Sequence, residues 1–487
     1  MPQRERGTTE FGGTVGPARL LLPIAPRQGA KMKSVSEILW RVAALLFAVC
    51  SVAASAAEPP FAPPASERIL YRNATLVDGD GARAGMTVVT RGPLIEAVLP
   101  DAEVTPALRE NGRVVDLTGR YLLPGLIDSH QHLATPPNRA RAEALMRRQL
   151  YSGVTATRIM ADDLRAIAEL ARAALVGEIA GPDMAFAAVA AGPSFFDDPR
   201  TLAIGAGWRS GETPWAQAID DRTDLPLAIA RARGTGATAL KIYANLPPHL
   251  VRRLTADAHR QGMRVWTHGM VFPTPPAAVI AAGPDVISHT CYLAYQLSNR
   301  RPSSYQERFP VNAPAFSNGD NPVLAGLFRE MRRRGIILDA TLRVYREGER
   351  RATAARPAHC TLDLAARLTD QARRKGVAIS AGTDGETSRA DGFPSLFEEL
   401  ELLVARAGFT PAQAIRAATE TGAAAMGESA RMGRIASGLL ANFLVTARNP
   451  LDDIAHLRTI QFTVKRGRRF ERGDYRPITA AEMPGND

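Results

Sequence analysis

The hydrophobic and polar positions of this chain follow two different patterns. From about residue 69 to residue 123, short runs of alternating apolar and polar residues are separated by glycine-rich turns such as Asp78-Gly79-Asp80-Gly81. This alternation predicts antiparallel strands. The same texture returns near the C-terminus, at residues 443–445 and 460–464. We therefore expect residues 66–123 and 431–475 to pair into one small β-sandwich domain.

The middle of the chain, residues 124–430, repeats a different unit. Each unit has a helical stretch rich in Ala and Arg, then a glycine such as Gly153, Gly262 or Gly335, then a short apolar strand and a polar residue. Glycine suits the left-handed position that follows a helix. Alternating helices and short buried strands predict an α/β fold with parallel strands. Several such units favour a (β/α)8 TIM barrel. An open doubly wound sheet is the alternative, but no Gly-x-Gly-x-x-Gly follows a first strand.

Residues 1–56 have the pattern of an N-terminal extension followed by a signal peptide. A short charged region runs from Met32 to Arg41, residues 42–54 are apolar, and Ala54-Ser55-Ala56 fits a cleavage site. The apolar run is too short to span a membrane. We expect Met32 to be the true start, and the mature chain to be secreted or periplasmic without stable membrane insertion.

Composition and charge narrow the possible functions. Hydrophobic residues make up 45% of the 487 residues and charged residues 22%, as in ordinary globular proteins. The net charge of +11 is spread over helices without interleaved aromatic residues, so we expect solvated helix faces and no nucleic-acid partner. Cys291 and Cys360 are too few for a disulfide scaffold. One bridge between them is possible, as is a homo-oligomer, and the sequence decides neither.

Histidines at the ends of predicted strands point to a metal site. An apolar strand that begins near Leu122 ends in His130-Gln131-His132, and side chains two apart share one face of a strand. Such a pair suits zinc. His268, His289 and Asp384 end later strands, and in a TIM barrel these ends meet at the catalytic face. Taken singly, each histidine could be a hydrogen-bonded core residue and Asp384 could cap a helix.

Lys241 is the most specific single residue. Only five of the 60 basic residues are lysines, yet this one lies in the apolar segment Ala239-Leu240-Lys241-Ile242-Tyr243. Burial favours the neutral amine, which can capture CO2 as a carbamate able to bridge two metal ions. A lysine paired with a barrel aspartate and a Schiff-base lysine are the alternatives.

Together these residues resemble the amidohydrolase superfamily, and within it the branch of imidazolonepropionase-like enzymes and Xaa-Pro dipeptidases. The likeness covers about residues 66–475, and includes Pro124-Gly125-Leu126-Ile127-Asp128, Gly153-Val154-Thr155 and Ala381-Gly382-Thr383-Asp384. It implies two divalent metal ions, most readily zinc, with carbamylated Lys241 as their bridge and Lys241 and Asp384 as catalytic residues. The implied metal ligands are His130, His132 and Asp384 for one ion and His268 and His289 for the other.

The resemblance implies a metal-dependent hydrolase that cleaves a C–N bond of a small amide with a metal-bridging hydroxide. A dipeptide or N-acyl amino acid is the first expectation for the substrate, and a cyclic amide or lactam the alternative. A non-catalytic metal-binding relative is the alternative of another class, but it would have no need for Lys241 or Asp384. Arg158 and Tyr243, at strand ends, are predicted to bind a substrate carboxylate or a developing oxyanion. The aromatic-rich segments 192–222 and 290–324 are candidates to cover the substrate.

Overall fold

The computed structural model describes residues 67–110, 112–316 and 319–484. The predicted extension and signal peptide, residues 1–56, lie outside the described residues. The strands are β1 (Arg68–Asp78), β2 (Gly81–Arg91), β3 (Leu94–Pro100), β4 (Gly112–Asp116), β5 (Tyr121–Pro124), β6 (Leu126–Gln131), β7 (Val154–Ile159), β8 (Asp183–Ala191), β9 (Glu212–Thr213), β10 (Ala216–Ala218), β11 (Ala239–Ile242), β12 (Arg264–His268), β13 (Val286–Ser288), β14 (Ile337–Asp339), β15 (Ile379–Ser380), β16 (Phe443–Thr446), β17 (Ile460–Lys465) and β18 (Arg468–Glu471).

The α-helices are α1 (Pro106–Arg109), α2 (Arg139–Tyr151), α3 (Leu164–Val176), α4 (Thr201–Ile204), α5 (Leu225–Arg233), α6 (Pro248–Arg260), α7 (Pro276–Ala282), α8 (Pro322–Arg334), α9 (Leu342–Arg350), α10 (Leu362–Arg374), α11 (Leu396–Arg406), α12 (Pro411–Ala417) and α13 (Glu420–Met426). In the described part of the chain, none of the helices combines the length and the apolar character needed to cross a membrane.

Strands from the two ends of the chain pair with each other, as the alternating patterns predicted. Its order is β18-β17-β16-β5-β1-β2-β3, with β4 also paired to β1. The two ends meet where β16 runs antiparallel to β5, so that Phe443 faces Pro124. Tyr71 packs edge-on against Phe443 at 4.9 Å between ring centroids. The strands of this unit are hydrogen-bonded into a single eight-stranded sheet.

Eight parallel strands form the barrel that the repeating units predicted. They follow one another in the order β6, β7, β8, β11, β12, β13, β14 and β15. The first strand is joined to the residues that follow the last strand by two backbone hydrogen bonds: Ser129 N donates to Ala381 O at 2.9 Å, and Asp384 N donates to His130 O at 3.0 Å. The short strands β9 and β10 extend the sheet beside β8. The TIM-barrel prediction is therefore confirmed.

The apolar strand predicted to begin near Leu122 is in fact two strands in different sheets. β5 belongs to the terminal sheet and β6 to the barrel, and the chain crosses between them at Gly125. Gly125 N donates to Asn442 O, whereas Leu126 N donates to Gly153 O, both at 2.9 Å. A Cβ atom at residue 125 would overlap the side chain of Thr155. Because glycine has no side chain, the chain can cross between the two sheets at this position.

The last predicted helix, from Thr410 to about Gly427, is also divided. Its capping box forms as predicted, since Thr410 and Gln413 exchange side-chain hydrogen bonds with each other's backbone. The helix then stops after Ala417, and α13 begins at Glu420. At the break, the carbonyl of Ala418 accepts a hydrogen bond from Ile127 N at 2.7 Å. The interruption therefore fastens this helical segment to the first barrel strand.

Candidate metal centre

All six predicted metal-site residues lie at the carboxyl ends of barrel strands and border one cavity of about 280 Å³. They are His130 in β6, His132 directly after β6, Lys241 in β11, His268 at the end of β12, His289 directly after β13, and Asp384 in the loop after β15. The parallel arrangement of the strands explains the convergence, because their carboxyl ends share one face of a barrel.

His130, His132 and Asp384 form the tightest group. One ligand atom from each lies within 4.8 Å of the others. The Nε2 atoms of His130 and His132 lie 3.4 and 3.2 Å from Asp384 Oδ1. Although burial raises the pKa of Asp384, the nearby histidines outweigh it and hold this pKa well below its ordinary value. The carboxylate is therefore ionised, as a metal ligand must be.

Lys241 has the environment that a reactive lysine requires. Its side chain is fully buried, and Nζ has no hydrogen-bond or ion-pair partner among the described residues. Burial and the neighbouring guanidinium of Arg158 lower the pKa of Lys241 to about 7. The alternative was a lysine paired with a barrel aspartate, but no aspartate of the described residues forms an ion pair with Lys241. A buried, unpaired nitrogen is a costly feature, and one that conversion to a metal-bridging carbamate would remove.

His268 and His289 complete the group on its other side. Their ring centroids lie 5.0 Å apart, and His289 Nε2 lies 3.8 Å from Asp384 Oδ2. Burial lowers the pKa of both, to about 3 for His289, so both imidazoles are neutral. Nδ1 of His268 has no partner within the described chain. Neutral imidazoles and a carboxylate are the donors expected around zinc and similar divalent ions.

Asp339, the last residue of β14, was missed by the sequence analysis. Its Oδ2 atom accepts hydrogen bonds from His130 Nδ1 at 2.7 Å, Arg158 at 3.0 Å and Ser288 Oγ at 2.9 Å. The side chain is fully buried. A Cβ atom at Gly382 would overlap this carboxylate, so the glycine of Ala381-Gly382-Thr383-Asp384 lets the Asp384 loop approach closely.

The expected substrate contact from Arg158 is not supported. The side chain is fully buried and does not border the cavity. Its Nε donates to Ser129 O at 2.6 Å, its NH2 bonds to Asp339, and the guanidinium lies 4.7 Å from the Trp266 ring. Arg158 is thus occupied within the barrel, below the histidines. The sequence alone does not show whether a polar residue on a strand faces the substrate or supports a metal-binding histidine.

Asp128, the first residue of the Asp-x-His-x-His segment, also faces away from the cavity. It accepts hydrogen bonds from Gln131 Nε2 at 2.7 Å, Thr383 Oγ1 at 2.9 Å and Thr383 N at 3.2 Å. Burial raises the pKa of Asp128 to about 7. Its bonds connect the strand of His130 to the loop that carries Asp384.

Aromatic and arginine side chains form the walls of the cavity. Tyr243 borders the cavity, and its ring centroid lies 4.3 Å from that of His268. Its contact with substrate remains a prediction. Tyr292, Tyr305 and Arg308 come from the segment 290–324, and Arg200 from the segment 192–222. A second cavity of about 560 Å³ also borders His132 and Asp384. Both aromatic-rich segments therefore reach the site.

A disulfide joins Cys291 to Cys360, with 6.3 Å between the Cα atoms. Cys291 follows His289 by two residues, and Cys360 borders the cavity. The bridge therefore fixes the segment after one candidate ligand to a part of the cavity wall that is 69 residues away in the sequence.

Comparison with known proteins identifies the family. The sequence profile described as "Amidohydrolase family" matches residues 121–469, which include the barrel and all six candidate ligands. The chain belongs to the amidohydrolase family. It is accordingly a metal-dependent hydrolase that acts on carbon–nitrogen bonds, and the His130, His132 and Asp384 group is its candidate metal site.

Relatives of this amidohydrolase are distant in sequence. Imidazolonepropionase from Chromobacterium violaceum is 24% identical over 440 residues, which cover 81% of this chain and 93% of the relative. Ochratoxinase from Aspergillus niger is 26% identical over 385 residues, covering 68% and 71%. Its crystal structure aligns with a TM-score of 0.66 at 22% identity, over 84% of this chain and 96% of that chain. A Xaa-Pro dipeptidase with bound methionine aligns with a TM-score of 0.63 at 21% identity, over 83% and 100%.

Proposed function

We propose that this amidohydrolase cleaves the C–N bond of a small amide, a dipeptide or an N-acyl amino acid, at a centre of two divalent metal ions. Zinc is the first choice of metal, and a carbamate on Lys241 is the proposed bridge. The observation that carries the proposal is the buried Nζ of Lys241, which lacks a partner in the described chain and stands among four histidines and an aspartate.

The donor set fits two ions. His130, His132 and Asp384 would hold one, His268 and His289 the other, and a carbamate on Lys241 would supply an oxygen to each. Once bound, divalent ions of this kind polarise a carbonyl and lower the pKa of water. Lys241 Nζ and His268 Nδ1, which have no hydrogen-bond partner among the described residues, are the atoms that carbamylation or ligation would satisfy.

The remaining chemistry belongs to the side chains. Asp384 is ionised and partly exposed to the cavity, so its carboxylate is placed to take a proton from the attacking water. The same carboxylate can pass that proton to the departing nitrogen, as a general acid. Tyr243 borders both cavities, where its hydroxyl could donate to the oxygen of the amide as negative charge develops there.

The relatives support an amide or peptide substrate without specifying one. A Xaa-Pro dipeptidase and an ochratoxinase share the fold, and an imidazolonepropionase aligns over most of the chain. The last favours a cyclic amide or lactam as the second candidate. A substrate screen should therefore contain dipeptides, N-acyl amino acids and lactams.

We also propose that the protein works in an oxidising compartment, secreted or periplasmic. The Cys291–Cys360 disulfide supports this location, because such bridges persist outside the reducing cytosol. The signal-like pattern of residues 32–56 agrees with it.

The test is metal analysis of full-length protein purified with bicarbonate and without chelators. About two divalent ions per chain are expected, falling sharply in Lys241→Ala but not in the control Lys375→Ala. A carbamate signal in the 13C NMR spectrum after growth in 13C-bicarbonate should appear in the wild type and vanish in Lys241→Ala. Metal content that does not depend on Lys241, without a carbamate signal, would reject the proposed bridge. Hydrolysis of no amide in the screen would reject the proposed substrate class.

A further inference from the structure

Arg308 is a cation at the wall of the cavity, and no acidic side chain in the described part of the chain pairs with it. Its guanidinium carbon lies 3.4 Å from the centroid of the Tyr305 ring, and its NH1 donates to Tyr292 Oη at 2.9 Å. No carboxylate among the described residues forms an ion pair with it. The other arginines near the centre are paired: Arg200 with Asp198 and Arg158 with Asp339. Arg308 thus differs from them in having no ion-pair partner among the described residues.

The position of Arg308 relative to the histidines is set by two aromatic rings. Tyr305 stacks on His268 with ring centroids 5.9 Å apart at an interplanar angle of 18°. Tyr292 lies edge-on to His289 at 5.4 Å. One layer of tyrosine therefore separates the guanidinium from the candidate metal ligands. The histidines and Arg308 nevertheless border the same cavity, so a small ligand bound there lies within reach of both.

The segment that carries Arg308 is fastened to the barrel strand of Lys241. Tyr305 N donates to Asn245 Oδ1 at 2.8 Å, and Asn245 Nδ2 donates to Gln306 Oε1 at 3.0 Å. Asn245 lies three residues after the end of β11. The cation is consequently held at a defined place relative to the centre, as a specificity-determining group requires.

We propose that Arg308 binds a carboxylate of the substrate and is the residue that makes this enzyme select amides carrying a free carboxylate. The inference rests on the proposed amide hydrolysis. A guanidinium pairs with a carboxylate through two parallel hydrogen bonds, and a partly buried cation without a counter-ion is costly until an anion arrives. The tyrosine walls further favour an apolar or aromatic group beside that carboxylate.

The test compares substrates that differ only in the carboxylate. The wild type should hydrolyse an N-acyl phenylalanine with a kcat/KM about 10- to 100-fold higher than that for the corresponding carboxamide. This is the range expected for a charge-assisted hydrogen bond. Arg308→Gln should remove that preference mainly through KM, and Arg308→Lys should restore part of it. Arg300→Gln, an exposed arginine of the same segment, is the matched control and should keep the preference. Equal losses on both substrates in Arg308→Gln would overturn the inference and indicate a structural role.

A binding experiment separates this inference from the proposed function. Isothermal titration with 3-phenylpropanoate and 3-phenylpropanamide requires no turnover. The carboxylate should bind more tightly to the wild type, and Arg308→Gln should lose that advantage while Arg300→Gln retains it. This result together with no hydrolysis of any amide would reject the proposed substrate class but keep the anion subsite. Hydrolysis of amides without preference for a carboxylate, or binding of the carboxylate that is unchanged in Arg308→Gln, would reject the subsite alone.

Discussion

Asp339 Oδ2 lies 2.7 Å from His130 Nδ1, so a fully buried carboxylate at the end of one barrel strand orients a candidate metal ligand on another. The bond directs His130 Nε2 toward Asp384. Carboxylates that hydrogen-bond the second nitrogen of a ligating histidine fix its tautomer and increase its basicity. Asp339 is for this reason expected to influence metal affinity without binding the metal.

We expect Asp339→Asn to weaken metal binding by about 10- to 100-fold, the usual effect of losing such a partner. The amide keeps the size of the side chain but removes the negative charge beside His130. The measurement is titration of the metal-loaded protein with a competing chelator. Asp363→Asn, at an exposed position, serves as the control, and equal affinities in the two variants would contradict the role of Asp339.

Arg158 should behave as a structural cation rather than as a substrate contact. Removing one partner of a buried ion pair leaves an uncompensated charge and costs about 3–5 kcal/mol. Arg158→Met should therefore lower the melting temperature strongly, whereas Arg333→Met, in a surface pair, should change it little. Any loss of kcat/KM in Arg158→Met should be the same for substrates with and without a carboxylate. A loss of kcat/KM only on the substrate with a carboxylate would instead indicate that Arg158 binds the substrate.

The different outcomes for Lys241, Asp339 and Arg308 show what the sequence could predict. Lys241 was recognisable because a lysine inside an apolar strand is chemically unusual, and because barrel topology brings strand ends together. Asp339 also ends an apolar strand, but an aspartate after a strand is common, and its bond to His130 depends on two strands far apart in the sequence. Arg308 lies in an irregular segment without periodicity, and it is one of many arginines. Only the three-dimensional structure shows that no carboxylate of the described residues pairs with it.

The fold could also be predicted in outline from the sequence. The change from alternating to repeating patterns predicted a β domain built from both chain ends and a barrel, because local periodicity determines the type of element. The break at Gly125 escaped prediction, since two consecutive apolar strands read as one until their hydrogen-bond partners are known. The division after Ala417 likewise depends on a long-range bond from Ile127.

The raised pKa of Glu399 leads us to expect a specific dependence of stability on pH. This buried residue of α11 accepts hydrogen bonds from Leu342 N and Arg343 N, and burial raises its pKa to about 8. The folded state therefore holds a proton that the unfolded state releases near pH 4 to 5. Between about pH 5 and pH 8 this group makes stability fall as pH rises, at a limiting slope of about 1.4 kcal/mol per pH unit.

Glu399→Gln should remove that contribution. The melting temperature of the variant, relative to the wild type, should rise steadily as the pH is increased from 5 to 8. Thermal unfolding at a series of pH values measures the difference, and Glu401→Gln, a partly exposed residue of the same helix, provides the control. A difference that is constant with pH would show that Glu399 does not hold a proton in the folded state.

The Cys291–Cys360 bridge should matter for both stability and the metal centre. A loop of 69 residues closed by a disulfide is worth about 4 kcal/mol in the chain-entropy account. Cys291→Ser with Cys360→Ser should lower the melting temperature, and reductant should do the same to the wild type but not to the double variant. Since Cys291 lies two residues from His289, we also expect the double variant to lose metal to a chelator faster. Thiol titration of the denatured wild type that finds Cys291 and Cys360 free, or a melting temperature unaffected by reductant, would contradict the bridge.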